Sequence, residues 1–301
     1  MAQPFTVIVP REINDTNFVS STLPENDYPV WNSTINYLVG DTVIVTTGYH
    51  KIYKSLIHPN TDHFPPTNPD RWVEVGPTNS WAAFDTSGGT LSEGSNSFEF
   101  VLSADRVKAV AFLELDANNV RIRASSMDLG VYYDTTLSGR DLTIIRDWFA
   151  YFTEGFKSSN DIIVTDIPQV SNSTYTFTVE GGPTISLGTF LFGEDTSFGF
   201  TQYNAKAGII DYSRKEVDQF GRATLIKRAF SKRMDVNIFM NRDLTDKVYR
   251  FLTDIRSTPV LWIGAKDQFE MLNIFGFYRD FTIDIAYPDA SLCTLQIEGI
   301  S

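Results

Sequence analysis

Ser97-Phe98-Glu99-Phe100-Val101-Leu102 is followed by further runs at 107–115, 120–124, 162–167 and 175–179. Each run is short, rich in β-branched or aromatic residues, and separated from the next by Ser, Asn and Gly turns, which is the pattern of strands. Several strands at this spacing predict a β-sandwich over residues 81–188. Within it, 138–156 is ambiguous. Asp141, Asp147 and a mixed apolar set (Leu142, Ile145, Trp148, Phe149, Phe152) fit a helix, but the stretch also holds many β-formers. No residue of this sandwich stands out as functional.

C-terminal to it the pattern changes after Leu187-Gly188-Thr189. Ile209-Ile210-Asp211-Tyr212-Ser213-Arg214-Lys215-Glu216 leads into 222–237, where Thr224, Ile226, Arg228 and Phe230 alternate with charged neighbours. This reads as a long amphipathic ribbon that pairs antiparallel. Asn241 or Asp243 can cap a helix over 243–256, because Leu244, Val248, Phe251, Leu252 and Ile255 recur on one helical face before Ser257-Thr258-Pro259. Three strands follow, over 259–265, 271–286 with a bend at Gly276, and 290–300. Residues 189–301 are thus predicted to form a β domain with one helix.

N-terminal to the sandwich, 5–9 is a short β-rich run closed by Pro10, and the stretch to Asp27 is polar and turn-rich. Residues 1–27 read as an arm or linker that orders on a partner. Residues 28–80 form a third region, dense in aromatics and turns, which ends at Gly76-Pro77-Thr78-Asn79. The fold class is therefore mainly β, with an aromatic module, a sandwich and a C-terminal β domain.

Composition narrows the function classes. The chain has 301 residues, 42% hydrophobic and 21% charged, enough to bury a real core. With 37 acidic against 25 basic side chains the formal net charge is −12, which repels nucleic acid and anionic membranes. The single cysteine, Cys293, excludes an intramolecular disulfide framework and lies in an alternating stretch, so a buried strand thiol is expected. The first residues have neither the basic region nor the apolar core of a signal peptide. No run approaches a membrane span, and synthesis in a cytoplasm is expected.

Catalytic signatures are missing. No Gly-x-Ser-x-Gly elbow, Walker loop, dinucleotide fingerprint or His-Glu-x-x-His occurs. His58-x3-Asp62-His63 invites a metal reading, but its spacing matches no helix face and its loop is Pro-rich, so neither a metal nor another cofactor is expected. The acid pairs Asp211 with Glu216 and Glu114 with Asp116 sit in surface-like patterns where solvated charge is the default, which argues against glycoside hydrolysis. The chain reads as a non-enzyme.

The aromatic region reads Trp31-x5-Tyr37-x2-Gly40-Asp41-x-Val43, then Gly48-Tyr49-x3-Tyr53, then Pro65-Pro66 and Trp72. This pattern resembles the small chitin-binding modules of bacterial chitinases and cellulases. The resemblance implies a few short strands around the aromatics and a glycan ligand, because flat rings stack on pyranose faces. The contact candidates are Trp31, Tyr49, His50, Phe64 and Trp72. Trp31, Tyr37, Tyr53 and Trp72 also read as scaffold for a domain too small for an aliphatic core, leaving Tyr49, His50 and Phe64 as the exposed contacts.

Over most of its length the chain also resembles a structural protein of tailed-bacteriophage tails. Thr78-Asn79-Ser80-Trp81-Ala82-Ala83-Phe84-Asp85, Asp211-Tyr212-Ser213-x-Lys215-Glu216 and Thr258-Pro259-Val260-Leu261-Trp262-Ile263-Gly264 carry that resemblance together with Phe275-Gly276-Phe277-Tyr278 and Ile297-Glu298-Gly299. It implies a virion component of the tail tip, baseplate or hub, with a C-terminal domain similar to tail-tube and hub β-barrels. Implied partners are other tail proteins and copies of itself in a ring. Lys227, Arg228, Lys232 and Arg233 are the assembly-surface candidates, a basic cluster suited to an acidic partner or merely a solvated strand face. The alternative is an adsorption protein that binds bacterial surface polysaccharide.

Overall fold

The computed structural model describes residues 3–85, 88–141, 157–158, 161–217, 219–266, 269–285 and 287–300. The chain divides into two compact units, Arg11–Phe192 and a second made of Met1–Pro10 with Gly193–Ser301. The first strand, β1 (Gln3–Pro10), belongs to the second unit.

The Arg11–Phe192 unit contains β2 (Phe18–Ser21), β3 (Thr42–Val45), β4 (Lys51–Ser55), β5 (Trp72–Pro77), β6 (Ser92–Gly94), β7 (Ser97–Ala104) and β8 (Ala109–Asp116). It continues with β9 (Asn119–Ser126), β10 (Gly130–Ser138), β11 (Arg140–Asp141), β12 (Lys157–Ser158), β13 (Asp161–Val164), β14 (Ser173–Glu180) and the first half of β15 (Ile185–Thr201). One sheet runs β10-β9-β14-β7-β2; on the other, β13, β8 and β15 are neighbours and β6 pairs with β15. Alternation sends every second side chain inward. Register then stacks Leu102, Tyr175 and Ala124 in one row, Phe100, Phe177 and Ile122 in the next, and Phe98, Val179 and Val120 in the third. Phe112 and Phe190 from the opposite sheet meet these rows, with Phe190 4.8 Å from both Phe100 and Phe177. The central β-sandwich is therefore present as expected.

The aromatic region forms a separate three-stranded sheet, β3-β4-β5, within the same unit. Its core is Tyr37, Val43, Val45, Tyr53 and Trp72, with Trp31 and Phe64 packed against it. The four motif aromatics thus serve mainly as scaffold.

The second unit adds β16 (Lys206–Asp211), β17 (Arg214–Val217), β18 (Ala223–Ile226), β19 (Phe230–Asn241), helix α1 (Arg242–Asp254), β20 (Val260–Ile263), β21 (Asn273–Asp284) and β22 (Ala290–Gly299). Six antiparallel strands follow one another as β15-β1-β20-β21-β22-β19, and pairing of β19 back onto β15 closes the barrel. Phe5, Phe198, Met234, Val236, Ile238, Trp262 and Leu295 fill it. Val248 and Leu252 of α1 join this core, with Leu244 and Phe251 packed against it, on the apolar face read from their spacing. Asn241 occupies the helix N-cap without a side-chain cap bond, and the first N–H, of Arg242, is taken by the Asp289 carbonyl at 3.1 Å.

Four sequence expectations differ from what is observed. Residues 1–27 are not one arm: β1 lies between β15 and β20, so its partners come from its own chain, and β2 pairs with β7. The ribbon expected over 222–237 is interrupted at 227–229. There the Ser213 N–H bonds the Asp211 carboxylate and the Arg228 N–H bonds the Ser213 hydroxyl, local side-chain bonds that compete with the ladder. Strand β21 keeps its register through Gly276, and its irregularity lies between Tyr278 and Asp280. A Cβ at Gly276 would sit 2.1 Å from the Glu298 carbonyl oxygen, so glycine is needed there for close strand approach. The boundary expected near residue 80 separates a module from a sandwich inside one compact unit. Of the ambiguous 138–156 segment, Ser138 ends β10 and Arg140–Asp141 form β11, and 142–156 lies outside the described residues.

Two predictions follow from this packing. Gly199 has φ +143°, and a Cβ there would lie 2.4 Å from the Phe239 carbonyl, whereas a Cβ at Gly208 would meet nothing within 4 Å. Gly199→Ala should destabilise the barrel by at least about 2 kcal/mol and Gly208→Ala by less than about 0.5 kcal/mol in urea unfolding. Burial pushes the Cys293 thiol up to about 12. A thiol reagent at pH 8 should leave Cys293 unmodified in the native protein and label it only on unfolding.

Candidate functional site

The turn between β3 and β4 spans 46–50, with Gly48 at φ +73° and His50 at φ +53°. It carries Tyr49 outward, 45% exposed. Phe64, held before the Pro65–Thr67 turn by bonds from the Thr67 and Asn68 side chains to its carbonyl, lies 5.8 Å from Tyr49. Trp31, whose N–H bonds the Ile44 carbonyl, lies 5.2 Å from Phe64. Trp31, Phe64 and Tyr49 therefore form a continuous aromatic row. Their planes meet at 67° and 73°, so the row is not one flat platform, and Tyr49 presents the most open ring. Burial, then the Glu74 carboxylate and Tyr49, push the neighbouring buried Tyr53 phenol up to about 12.

Two of the five contact candidates are committed elsewhere. Trp72 is 2% exposed, stands edge-on to Tyr37 at 5.1 Å and donates its indole N–H to the His63 carbonyl at 2.9 Å. It builds the module and cannot stack on a ligand. His50 lies flat on Trp81, centroids 3.8 Å apart and planes at 13°. Its Nε2 is 2.6 Å from Asp15 and its Nδ1 3.0 Å from Glu25, whose carboxylate also accepts the Thr78 hydroxyl at 2.8 Å. His50 thus fastens the 11–27 segment to the aromatic module. Beside it opens a cleft of about 900 Å³, lined by Tyr49, His50, Trp81 and the acids Glu12, Asp15 and Asp85.

The remaining titratable candidates are dispersed. Glu114, Asp116, Asp211 and Glu216 are exposed, and Glu216 faces Arg214 at 3.4 Å. Bonds from the Ser213 hydroxyl and N–H, then the charge of Lys227, hold the Asp211 carboxyl below its usual range. Among the described residues, no group of three or more His, Cys, Asp or Glu is arranged to hold a metal ion.

The basic candidates do not share one face. Lys232 is opposite Ile209 and Arg233 opposite Gly208, so the two point to opposite sides of the β16–β19 pair, and Arg233 bridges Asp235 at 2.9 Å. Lys227 and Arg228 fall in the interruption before β19. Sequence reasoning missed the apolar side chains around them. Ile209, Val217, Leu225 and Phe230 are exposed on the ribbon, and Phe200, Tyr203, Phe239, Phe269 and Met271 are exposed on the barrel. The available signal was Ala223-Thr224-Leu225-Ile226, where apolar residues at both strand parities leave no polar face.

No protein-family model and no curated protein matches the chain.

His50→Ala should lower the unfolding free energy of the Arg11–Phe192 unit by about 1–3 kcal/mol, since it removes the ring stacked on Trp81 and its bonds to Asp15 and Glu25. Tyr49→Ala should cost less than about 1 kcal/mol, and thermal unfolding of both variants checks the contrast.

Proposed function

We propose that the chain is a non-enzymatic structural component of a bacteriophage tail, in the tip, baseplate or hub region. It assembles through the barrel unit, with the aromatic module at the periphery. The observation that supports this most directly is the exposed ribbon, in which β16 pairs with β19 at the edge of the barrel sheet and β17–β18 follows as a separate two-stranded sheet. Exposed strand edges are templates for pairing with another chain, and the charges of Arg214, Lys215 and Glu216 on this pair guard against unscheduled pairing before assembly. The suggested partners are further copies of the chain and other tail proteins. Mass spectrometry and electron cryo-microscopy of tailed particles from cells that make the chain should find several copies around the tail axis. Particles that lack it would remove this reading.

A second reading, adsorption to bacterial surface polysaccharide, is favoured by the Trp31–Phe64–Tyr49 row. Stacking on one aromatic ring is worth roughly 0.5–1.5 kcal/mol, so Tyr49→Ala should weaken retention on a chitin or cell-wall polysaccharide column several-fold. Equal retention of the folded Tyr49→Ala protein, or no retention of the unaltered chain, would exclude the row as a glycan site.

A further inference from the structure

The cleft of about 900 Å³ beside the aromatic row lies wholly within the Arg11–Phe192 unit. Tyr49 belongs to both, as the last ring of the Trp31–Phe64–Tyr49 row and as part of the cleft wall. Trp81 lines the cleft as well. It is fixed by His50 flat against it and by Phe18 and Phe84 at 4.7 and 5.7 Å, and it is only 9% exposed. Its indole N–H nevertheless has no hydrogen-bond partner among the described residues. A buried donor without an acceptor is costly, and this one is available to a hydroxyl that enters the cleft.

The ionisable groups of the cleft are mostly acidic. Glu12, Asp15, Glu74 and Asp85 line it together with Lys51 and His50. His50 is held by Asp15 and Glu25, and Lys51 bridges Glu74 at 2.7 Å, so neither is free to meet an anion. Glu12 is exposed with no side-chain partner among the described residues, and Asp85 accepts the Thr90 hydroxyl at 2.7 Å. The surrounding unit carries 22 acidic against 11 basic side chains. An anionic polysaccharide is repelled here, whereas an ammonium group gains from Glu12 and from the face of Tyr49. An open ring for a pyranose face, a free N–H for a hydroxyl and a carboxylate for an amine thus meet in one concavity.

We infer that this cleft binds a polysaccharide of amine-bearing sugars, glucosamine in preference to its N-acetylated form. This rests on the polysaccharide reading above and names the sugar. Acetylation turns the amine into a neutral amide and leaves Glu12 nothing to attract.

The test is isothermal titration calorimetry of the full chain with two probes, the hexamer of glucosamine and the hexamer of N-acetylglucosamine. It is run at about pH 5.5, where carboxylates are ionised and the sugar amines protonated. The glucosamine hexamer should bind roughly tenfold tighter or more, and its affinity should fall with added salt. Glu12→Gln should lower that affinity about threefold and Glu12→Lys further, with binding of the N-acetyl hexamer unchanged. The position is exposed, so both variants should melt with the unaltered protein. Tyr49→Ala, and Trp81→Phe, which keeps a ring and removes the N–H, should weaken both hexamers.

Equal or tighter binding of the N-acetyl hexamer, or Glu12 variants that bind the glucosamine hexamer as the unaltered chain does, overturns this inference and leaves the polysaccharide reading standing. A lysine hexapeptide that binds as tightly as the glucosamine hexamer also overturns it, since charge without a sugar ring would then suffice. A chain that binds neither hexamer overturns it too, and the polysaccharide reading falls with it only where the unaltered chain is also not retained on the polysaccharide column.

Discussion

Closure of the barrel depends on a very short run of backbone. Strands β15 and β19 pair through only Phe200 with Phe239 and Thr201 with Ile238. Gly199, next to them, has a positive φ and lies where any side chain would strike the Phe239 backbone. Without that approach the six strands would form an open sheet with two free edges and an interior accessible to water. The core of Phe5, Phe198, Met234 and Trp262, and with it the seat of α1, depends on this crossing. The Trp262 indole N–H bonds the Gly276 carbonyl at 3.0 Å, so the largest core side chain is tied to the other close strand approach.

β15 is the second constraint. Its 17 residues supply Ile185, Leu187, Phe190 and Phe192 to the sandwich core and Phe198 to the barrel core. Phe190 meets Phe100, Phe112 and Phe177 at 4.8–5.1 Å, and Phe198 meets Phe5 at 5.4 Å. One uninterrupted strand thus enters two hydrophobic clusters. Aromatic rings suit such sites because each buries a large area on few rotatable bonds.

Local periodicity made much of this legible. Helix α1, the last strand and four of the five sandwich runs follow from spacing within about ten residues and lie within two residues of the reading, whereas the run at 162–167 is a strand only over Asp161–Val164 and β6, β10 and β15 were not read as strands. Non-local pairing was not legible. The run around Val7 shows an apolar strand but not that it pairs with Thr196 and Trp262, and the break in the ribbon depends on bonds from Asp211 and Ser213 to their neighbours. The same holds at the site. Tyr49 and Phe64 were readable as surface aromatics, but the commitment of His50 is made by Asp15 and Glu25, 35 and 25 residues away. Trp72 was readable as either core or contact, and its burial decides for core.

The position of β1 also bears on how the protein is made. Its pairing partners, Gly193–Thr201 and Leu261–Ile263, follow it after all of Arg11–Phe192 has been synthesised. At about 5–20 residues per second, roughly 10–40 s pass before the first of them leaves the ribosome. The intervening unit holds all the strands of its own five-stranded sheet and can fold in that interval. Gln3–Pro10, with four consecutive buried positions in the finished protein, meanwhile waits as an unpaired apolar edge. Pro4 and Pro10 at its ends lack a backbone N–H for strand addition, and so limit unscheduled pairing on polysomes, where many nascent copies lie close together.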